Sequence, residues 1–338
     1  MKILIIQKKF MGDILVTSTV IPLLKKKYPD AEITFLLDEN YRQILIGNPF
    51  WDHLIFWNKE NFSEMLFDIR NRKFDVVIDL YSKIDTGFLT FFSGAEKRIG
   101  FFKKYTQIFY NYPIKRKKES ISKNITLAIE HRLQLLEPLG ISFQEVFPKT
   151  FLLDEEIENA KKLLADHQLT ESDDLIMIST FGSNEIKTYP IEYMANVLDQ
   201  IVDIAPQSKL LCNYLPHQKE KFIKLFGLIS QKTQNAVIKD FETKDLREFS
   251  AVTSLCKCLI GNEGGATNVS KSLGIPTFTI FAPHIEPKGW AWTSQPDLDR
   301  FLHLNDFVKD SKDYKDFKPE FLKLFLKEFL ENVTKSHP

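Results

Sequence analysis

Short apolar runs of strand type alternate along this chain with amphipathic helical segments, and that alternation leaves few folds open. Ile3 to Ile6 is such a run, bounded by Lys2 and Gln7, and Ile14 to Tyr28 after it has helical spacing. Glu32 to Leu37 and Phe74 to Leu80 read as further strands, while Thr126 to Leu139 reads as a helix stopped by Gly140. Alternation of this kind calls for parallel βαβ units with right-handed crossovers, hence an open sheet with helices on both faces.

A length of 338 residues exceeds what one hydrophobic core usually supports, so two domains are expected. The boundary falls in the polar stretch His167 to Asp174, which divides the chain into residues 1–168 and 169–338. Beyond it the alternation resumes: strand Leu175 to Ser179, helix Ile191 to Ile204, strand Lys209 to Cys212, helix Gln218 to Leu228, then strands Ala236 to Ile238, Leu255 to Ile260 and Thr277 to Phe281. Two Rossmann-like α/β domains follow. In the tail, Phe317, Phe321, Phe325, Phe329 and Val333 lie four apart and make one apolar helical face, with Pro319 suited to a first turn. Such a face is expected to be core, with a membrane-surface helix as the alternative.

Charge narrows the partners. With 45 basic and 45 acidic side chains there is no global field to attract nucleic acid or an anionic membrane, so any such attraction must be local. Residues Met1 to Phe10 enter a strand directly, without the pattern of a secretory signal, and no run of about 18 apolar residues occurs. A cytoplasmic protein is expected. Three cysteines are too few and too irregular for a disulfide framework, and the spacing of Cys256 and Cys258 is one residue short of a zinc pair, so core thiols and no metal are expected.

In open α/β sheets ligands sit beyond the carboxyl ends of the strands, which directs attention to three loops. In the first, Met11, Gly12 and Asp13 separate the first strand from the first helix. Asp13 could be a general base, or equally an N-cap for that helix. The second, Thr180 to Pro190, gathers Thr180, Gly182, Ser183 and Lys187, which could offer hydroxyls and one ammonium to a phosphate. The third, Gly261 to Asn268, enters a helix through Gly264 and Gly265, whose amides could reach a pyrophosphate at the positive helix end, while Glu263 could hold sugar or ribose hydroxyls. It is neither a Walker loop nor the dinucleotide fingerprint, so the ligand need not be ATP or NAD.

Taken together these loops resemble glycosyltransferase family 9, the ADP-heptose:lipopolysaccharide heptosyltransferases. The similarity runs through Met1 to Asp38, Phe74 to Leu80, Arg98-Ile-Gly-Phe101, Lys187-Thr-Tyr-Pro190 and Leu259 to Pro283. What it implies is a GT-B fold, two Rossmann-like domains with parallel sheets facing across a cleft, the N-terminal one binding the acceptor and the C-terminal one the nucleotide sugar. By the same resemblance Asp13 is the base that deprotonates the acceptor hydroxyl, which attacks the anomeric carbon with inversion. Lys187, Thr180, Ser183, Glu263, Gly264, Gly265 and Asn268 would bind the donor, an ADP-heptose-type co-substrate, with no metal and no other cofactor. Gly12, Lys97, Arg98, Lys103 and Lys104 would bind the acceptor, a lipid-linked glycan.

Some positions depart from the family pattern. Asn268 stands where histidine is common, Glu263 where aspartate is usual, and Gln7 where a basic residue is common, with Lys8 and Lys9 as substitutes. Pro216-His217-Gln218 resembles a ribose-binding stretch in which Gln218 or Glu220 would have to serve. From Lys97 to Lys118 eight basic residues occur with no acidic one, interleaved with aromatics, which suits a phosphorylated lipid glycan or the inner-membrane surface. Two other functions compete: transfer from a UDP- or GDP-linked hexose, and a noncatalytic nucleotide- or glycan-binding protein.

Overall fold

The computed structural model describes residues 1–336 and divides into two compact units. The first comprises residues 1–151 with 288–292, the second 152–287 with 293 onward. The division precedes the polar run at 167–174, because helix Asp154–Asp166 belongs to the second unit. Glu156 on that helix pairs with the buried Arg247 of helix Leu246–Ser254. Helix-to-helix packing outweighed the composition change as a boundary marker.

The first unit is built on six parallel strands: β1 (Lys2–Ile6), β2 (Glu32–Leu37), β3 (His53–Phe56), β4 (Val76–Asp79), β5 (Lys97–Phe101) and β6 (Tyr112–Ile114), in the order β3-β2-β1-β4-β5-β6. The central strands β1 and β4 are buried on both faces, which is why they read as unbroken apolar runs. The order reverses direction at β1, between β2 and β4, so the loops after β1 and β4 lie at the topological switch.

The helix expected over 14–28 is two helices, Met11–Thr17 and Val20–Lys27. Pro22 has no amide to give the carbonyl of Ser18, and the Ser18 and Thr19 hydroxyls bond back to Leu15 O and Val16 O at 2.6 and 2.7 Å. The helix expected over 126–139 spans Leu127–Gln134, then tightens to a 3-10 turn containing Pro138 and ends at Gly140 with φ 68°.

The second unit holds β7 (Leu175–Ser179), β8 (Lys209–Asn213), β9 (Cys258–Asn262), β10 (Thr277–Phe281) and β11 (Arg300–His303), all parallel, in the order β11-β10-β9-β7-β8. Residues 236–238 form no strand; helix Gln231–Ala236 takes their start, and one isolated bridge joins Val237 to Leu210. The strand expected over 255–260 begins only at Cys258, because helix Leu246–Ser254 runs up to Leu255. The C-terminal helix, Lys323–Ser336, buries Leu326, Phe329, Leu330 and Val333 in the core of this unit together with Phe317 and Leu322, so the tail is core.

Cys212, Cys256 and Cys258 are buried free thiols, and burial pushes Cys212 up to about 12. Among the described residues no helix is long and apolar enough to cross a membrane, and no three His, Cys, Asp or Glu side chains gather as a metal site would require.

Candidate functional site

In the first unit Asp13 and several of the other candidate side chains lie beyond the carboxyl ends of β1, β4 and β5. Asp13 lies in the first turn of helix Met11–Thr17, with Gly12 beside it. It does not cap that helix. The N-cap is Phe10, held at φ 72°, a conformation uncommon for a bulky residue and frequent at functional turns. The Asp13 carboxylate instead pairs through Oδ1 with Nη2 of Arg132. Arg132 is buried, its Nε donates to Thr17 Oγ1 at 3.1 Å and its Nη1 to Ala128 O at 2.6 Å, so three directions fix the guanidinium. The pair is thus a rigid mount for one carboxylate oxygen, with the side chain of Asp13 still partly open to solvent.

Behind this edge sits a second carboxylate. Asp79, at the end of β4 and fully buried, accepts from the Ser82 amide at 2.7 Å and from the Tyr110 hydroxyl at 2.8 Å. Burial raises it to about 6 despite those bonds. Ser82, at φ 48°, returns a hydroxyl bond to Asp79 O and accepts from the amide of Phe101, so the ends of β4 and β5 are tied together. Gly100 has no room for a Cβ under the Tyr110 ring.

Of the acceptor candidates, Gly12, Lys103 and Lys104 lie at this edge. Lys103 donates to Ser82 O at 2.6 Å, and burial, with Arg116 and Lys83 nearby, holds its ammonium below the usual lysine range. Lys97 and Arg98 do not join them. They open β5, in register with Val76 and Val77, and so stand at the amino end of the sheet, away from Asp13. Arg98 is spent there on Ala95 O and Phe109 O. Lys8 is equally committed: its ammonium meets Asp85 at 2.6 Å and lies 3.6 Å from the Trp57 ring centroid, so it does not replace a basic residue at Gln7, and Lys9 alone is exposed.

In the second unit the loops after β7 and β9 come together. Asn262, buried at the end of β9, accepts from the Tyr189 amide at 2.7 Å and donates to Ser179 O and Thr180 O at 3.0 and 2.9 Å. This one side chain sets the path of the 180–190 loop. Lys187, in the 3-10 turn Glu185–Lys187, lies close enough for its charge to act on Glu263. Glu263 is buried, burial raises its carboxyl against the pull of Lys187 and Lys271, and its Oε2 has no hydrogen-bond partner. Lys271, brought down to about 8 by burial, faces Glu263 and Asp299.

Helix Gly265–Ser272 starts here, with Gly264 as its N-cap in extended backbone. A Cβ on Gly264 would meet nothing within 4 Å, so neither conformation nor packing demands glycine there. Asn268 is turned back, donating to Gly264 O at 3.1 Å. Thr180 is buried with its hydroxyl toward Ile178 O, while Ser183 is exposed. Gln218 is occupied by the Leu215 amide and by Gly182 O, and Glu220 remains exposed.

The model of glycosyltransferase family 9 (heptosyltransferase) matches residues 65–298. The chain belongs to this family. It is accordingly a glycosyltransferase. Lipopolysaccharide heptosyltransferase 1 of Campylobacter coli is 26% identical over 297 residues, covering 83% of this chain and 84% of its own length. Among solved structures, the family 9 glycosyl transferase of Veillonella parvula aligns with TM-score 0.78 at 20% identity, over 99% of this chain and 97% of that one. The E. coli ADP-heptose lps heptosyltransferase II aligns with TM-score 0.77 at 15% identity over the whole of both. The fold is therefore the GT-B type of these enzymes.

Arg132 and Asp79 escaped the sequence analysis. Arg132 stands on a helix that also carries Glu130, His131 and Gln134, so its local sequence does not mark it as buried.

Proposed function

We propose that this glycosyltransferase transfers heptose from an ADP-heptose-type donor to a lipopolysaccharide core acceptor, with inversion and without a metal. The observation that carries this is the Asp13 carboxylate, anchored on one oxygen by Arg132 beyond the carboxyl end of β1. Its other oxygen takes the proton of the acceptor hydroxyl as that oxygen bonds to the anomeric carbon. The bond from the anomeric carbon to the diphosphate breaks, its electron pair leaves with ADP, and the configuration inverts because attack and departure occupy opposite faces.

Developing charge on the leaving diphosphate falls to Lys187 and to the amides at the start of helix Gly265–Ser272. Glu263, whose Oε2 lacks a partner, takes hydroxyls of the ribose or the transferred sugar. Lys103 and Lys104 supply positive charge for an anionic acceptor. The names of the Campylobacter and E. coli relatives support the sugar, the nucleotide and the acceptor class.

The test is a donor panel against one lipopolysaccharide core acceptor. ADP-heptose should be consumed, with a product of opposite anomeric configuration by NMR. Preferential use of a UDP- or GDP-hexose overturns the donor, and a retained configuration overturns the single displacement.

A further inference from the structure

Helix Ile84–Phe92 is built inside out. Its inner face is small and polar: Thr86, Gly87, Leu89 and Thr90 are buried, and the two threonine hydroxyls are satisfied locally, by Lys83 O and Thr86 O. Its outer face carries Ile84, Phe88, Phe91 and Phe92, spaced i, i+4, i+7 and i+8, all exposed, from 37% at Phe88 to 61% at Ile84. Phe88 packs at its edge against Phe62 and Phe109, with ring centroids 6.3 and 6.4 Å apart, while Ile84, Phe91 and Phe92 stay 45–61% exposed. The surface extends to Phe67 of helix Phe62–Asn71, 70% exposed, and, past Phe109 packed on the helix, to Ile108, 73% exposed. Between the two helices runs a groove of about 750 Å³ floored by Leu66, Phe67, Phe91 and Phe92.

Basic groups border this surface. Arg70 and Arg98 line the groove, Arg98 over the Phe91 ring at 5.5 Å, and Lys83, Lys103 and Lys104 stand toward the carboxyl end of the sheet. Of the carboxylates nearby, Asp68 is paired with Arg72 and Asp85 with Lys8, leaving Glu64 and Glu96. An aromatic face with a positive border suits a bilayer with anionic headgroups, where rings enter the acyl boundary and cations meet phosphate. A second copy of the chain would bring like charge to like charge.

We propose that the outer face of helix Ile84–Phe92, with Phe67 and Ile108 beside it, docks this enzyme on the surface of an anionic membrane. The inference complements the proposed acceptor chemistry but rests on the surface itself. Its test therefore uses neither donor nor acceptor: flotation of the full chain with phosphatidylglycerol-rich or phosphatidylcholine vesicles, alongside light scattering for mass in solution. The chain should float with the anionic vesicles only, and less at high salt. The exposed pair Phe91→Ser/Phe92→Ser should lower partitioning about tenfold or more while leaving circular dichroism unchanged. Arg70→Gln should lower it severalfold.

Absence of vesicle binding, or binding indifferent to the phenylalanine pair, overturns the proposal. So does a dimer that the pair converts to monomer, which would make the face a contact between copies. Sugar transfer to a soluble acceptor, measured separately, should persist in the phenylalanine variant, so failure of docking and failure of the transferase chemistry are distinguishable.

Discussion

Asp13 and Glu263 are both carboxylates placed beyond a parallel strand, one in each unit, and their surroundings are opposite. Asp13 is met by a buried guanidinium that is itself held by Thr17 and Ala128. Glu263 is more deeply buried yet keeps an oxygen without a partner, among lysines that only partly offset its desolvation. A group that must accept a proton at a defined point benefits from being fixed before substrate arrives. A group that binds hydroxyls can leave its last hydrogen bond for the ligand to complete. On the proposed reading the first unit is preorganised and the second is completed by its substrate.

That contrast can be broken most severely at Arg132. Arg132→Met should lower kcat by roughly 100-fold through misplacement of Asp13, and remove about 1–3 kcal/mol of stability, the worth of a hydrogen bond to a charged group, since the partly exposed Asp13 loses its partner. Arg132→Lys should restore part of both. Steady-state kinetics with denaturant melts check this, and an unchanged rate in a folded Met variant would make Arg132 merely structural.

Asp79 probes the same edge through pH. Folded, it holds its proton up to about 6; unfolded, it releases it near 3.8. Between those values the folded state binds more protons, so its contribution to stability falls as pH rises, and the penalty is complete above about 6. Asp79→Asn should therefore become more stable relative to the parent from pH 4 to pH 7, by on the order of 3 kcal/mol. Urea melts across that range check the sign.

Smaller effects are expected in the second unit. Lys187→Ala should weaken ADP binding by roughly 10- to 100-fold, the worth of a hydrogen bond to a charged group, with calorimetry as the readout. Gly264→Ala should separate packing from ligand binding. Since its Cβ meets nothing, stability should change by less than about 0.5 kcal/mol, while ADP affinity drops severalfold. A loss of stability without a loss of affinity would return Gly264 to a purely structural role.

Much of the fold was legible because buried parallel strands are continuous apolar runs: Glu32–Leu37, Leu175–Ser179 and Thr277–Phe281 have the limits their composition suggests, as does helix Ile191–Ile204. Edge strands such as His53–Phe56 and Tyr112–Ile114, short and largely exposed, carry no such pattern. The break after Thr17 depended on a proline acting four residues upstream. At the site, the loops were legible and their partners were not. Asp13 and Arg132 are separated by 119 residues, and nothing local to either announces the other. Lys97 and Arg98 were misplaced for a related reason: a run of charge in sequence ignores that a strand carries its two ends to opposite edges of a sheet.

The most direct measurement is turnover and donor affinity taken together on Asp13→Asn. ADP release in the presence of acceptor should fall by about 100- to 10,000-fold, the usual worth of a positioned general base, while calorimetric binding of ADP stays unchanged. Turnover close to that of the parent would contradict that role.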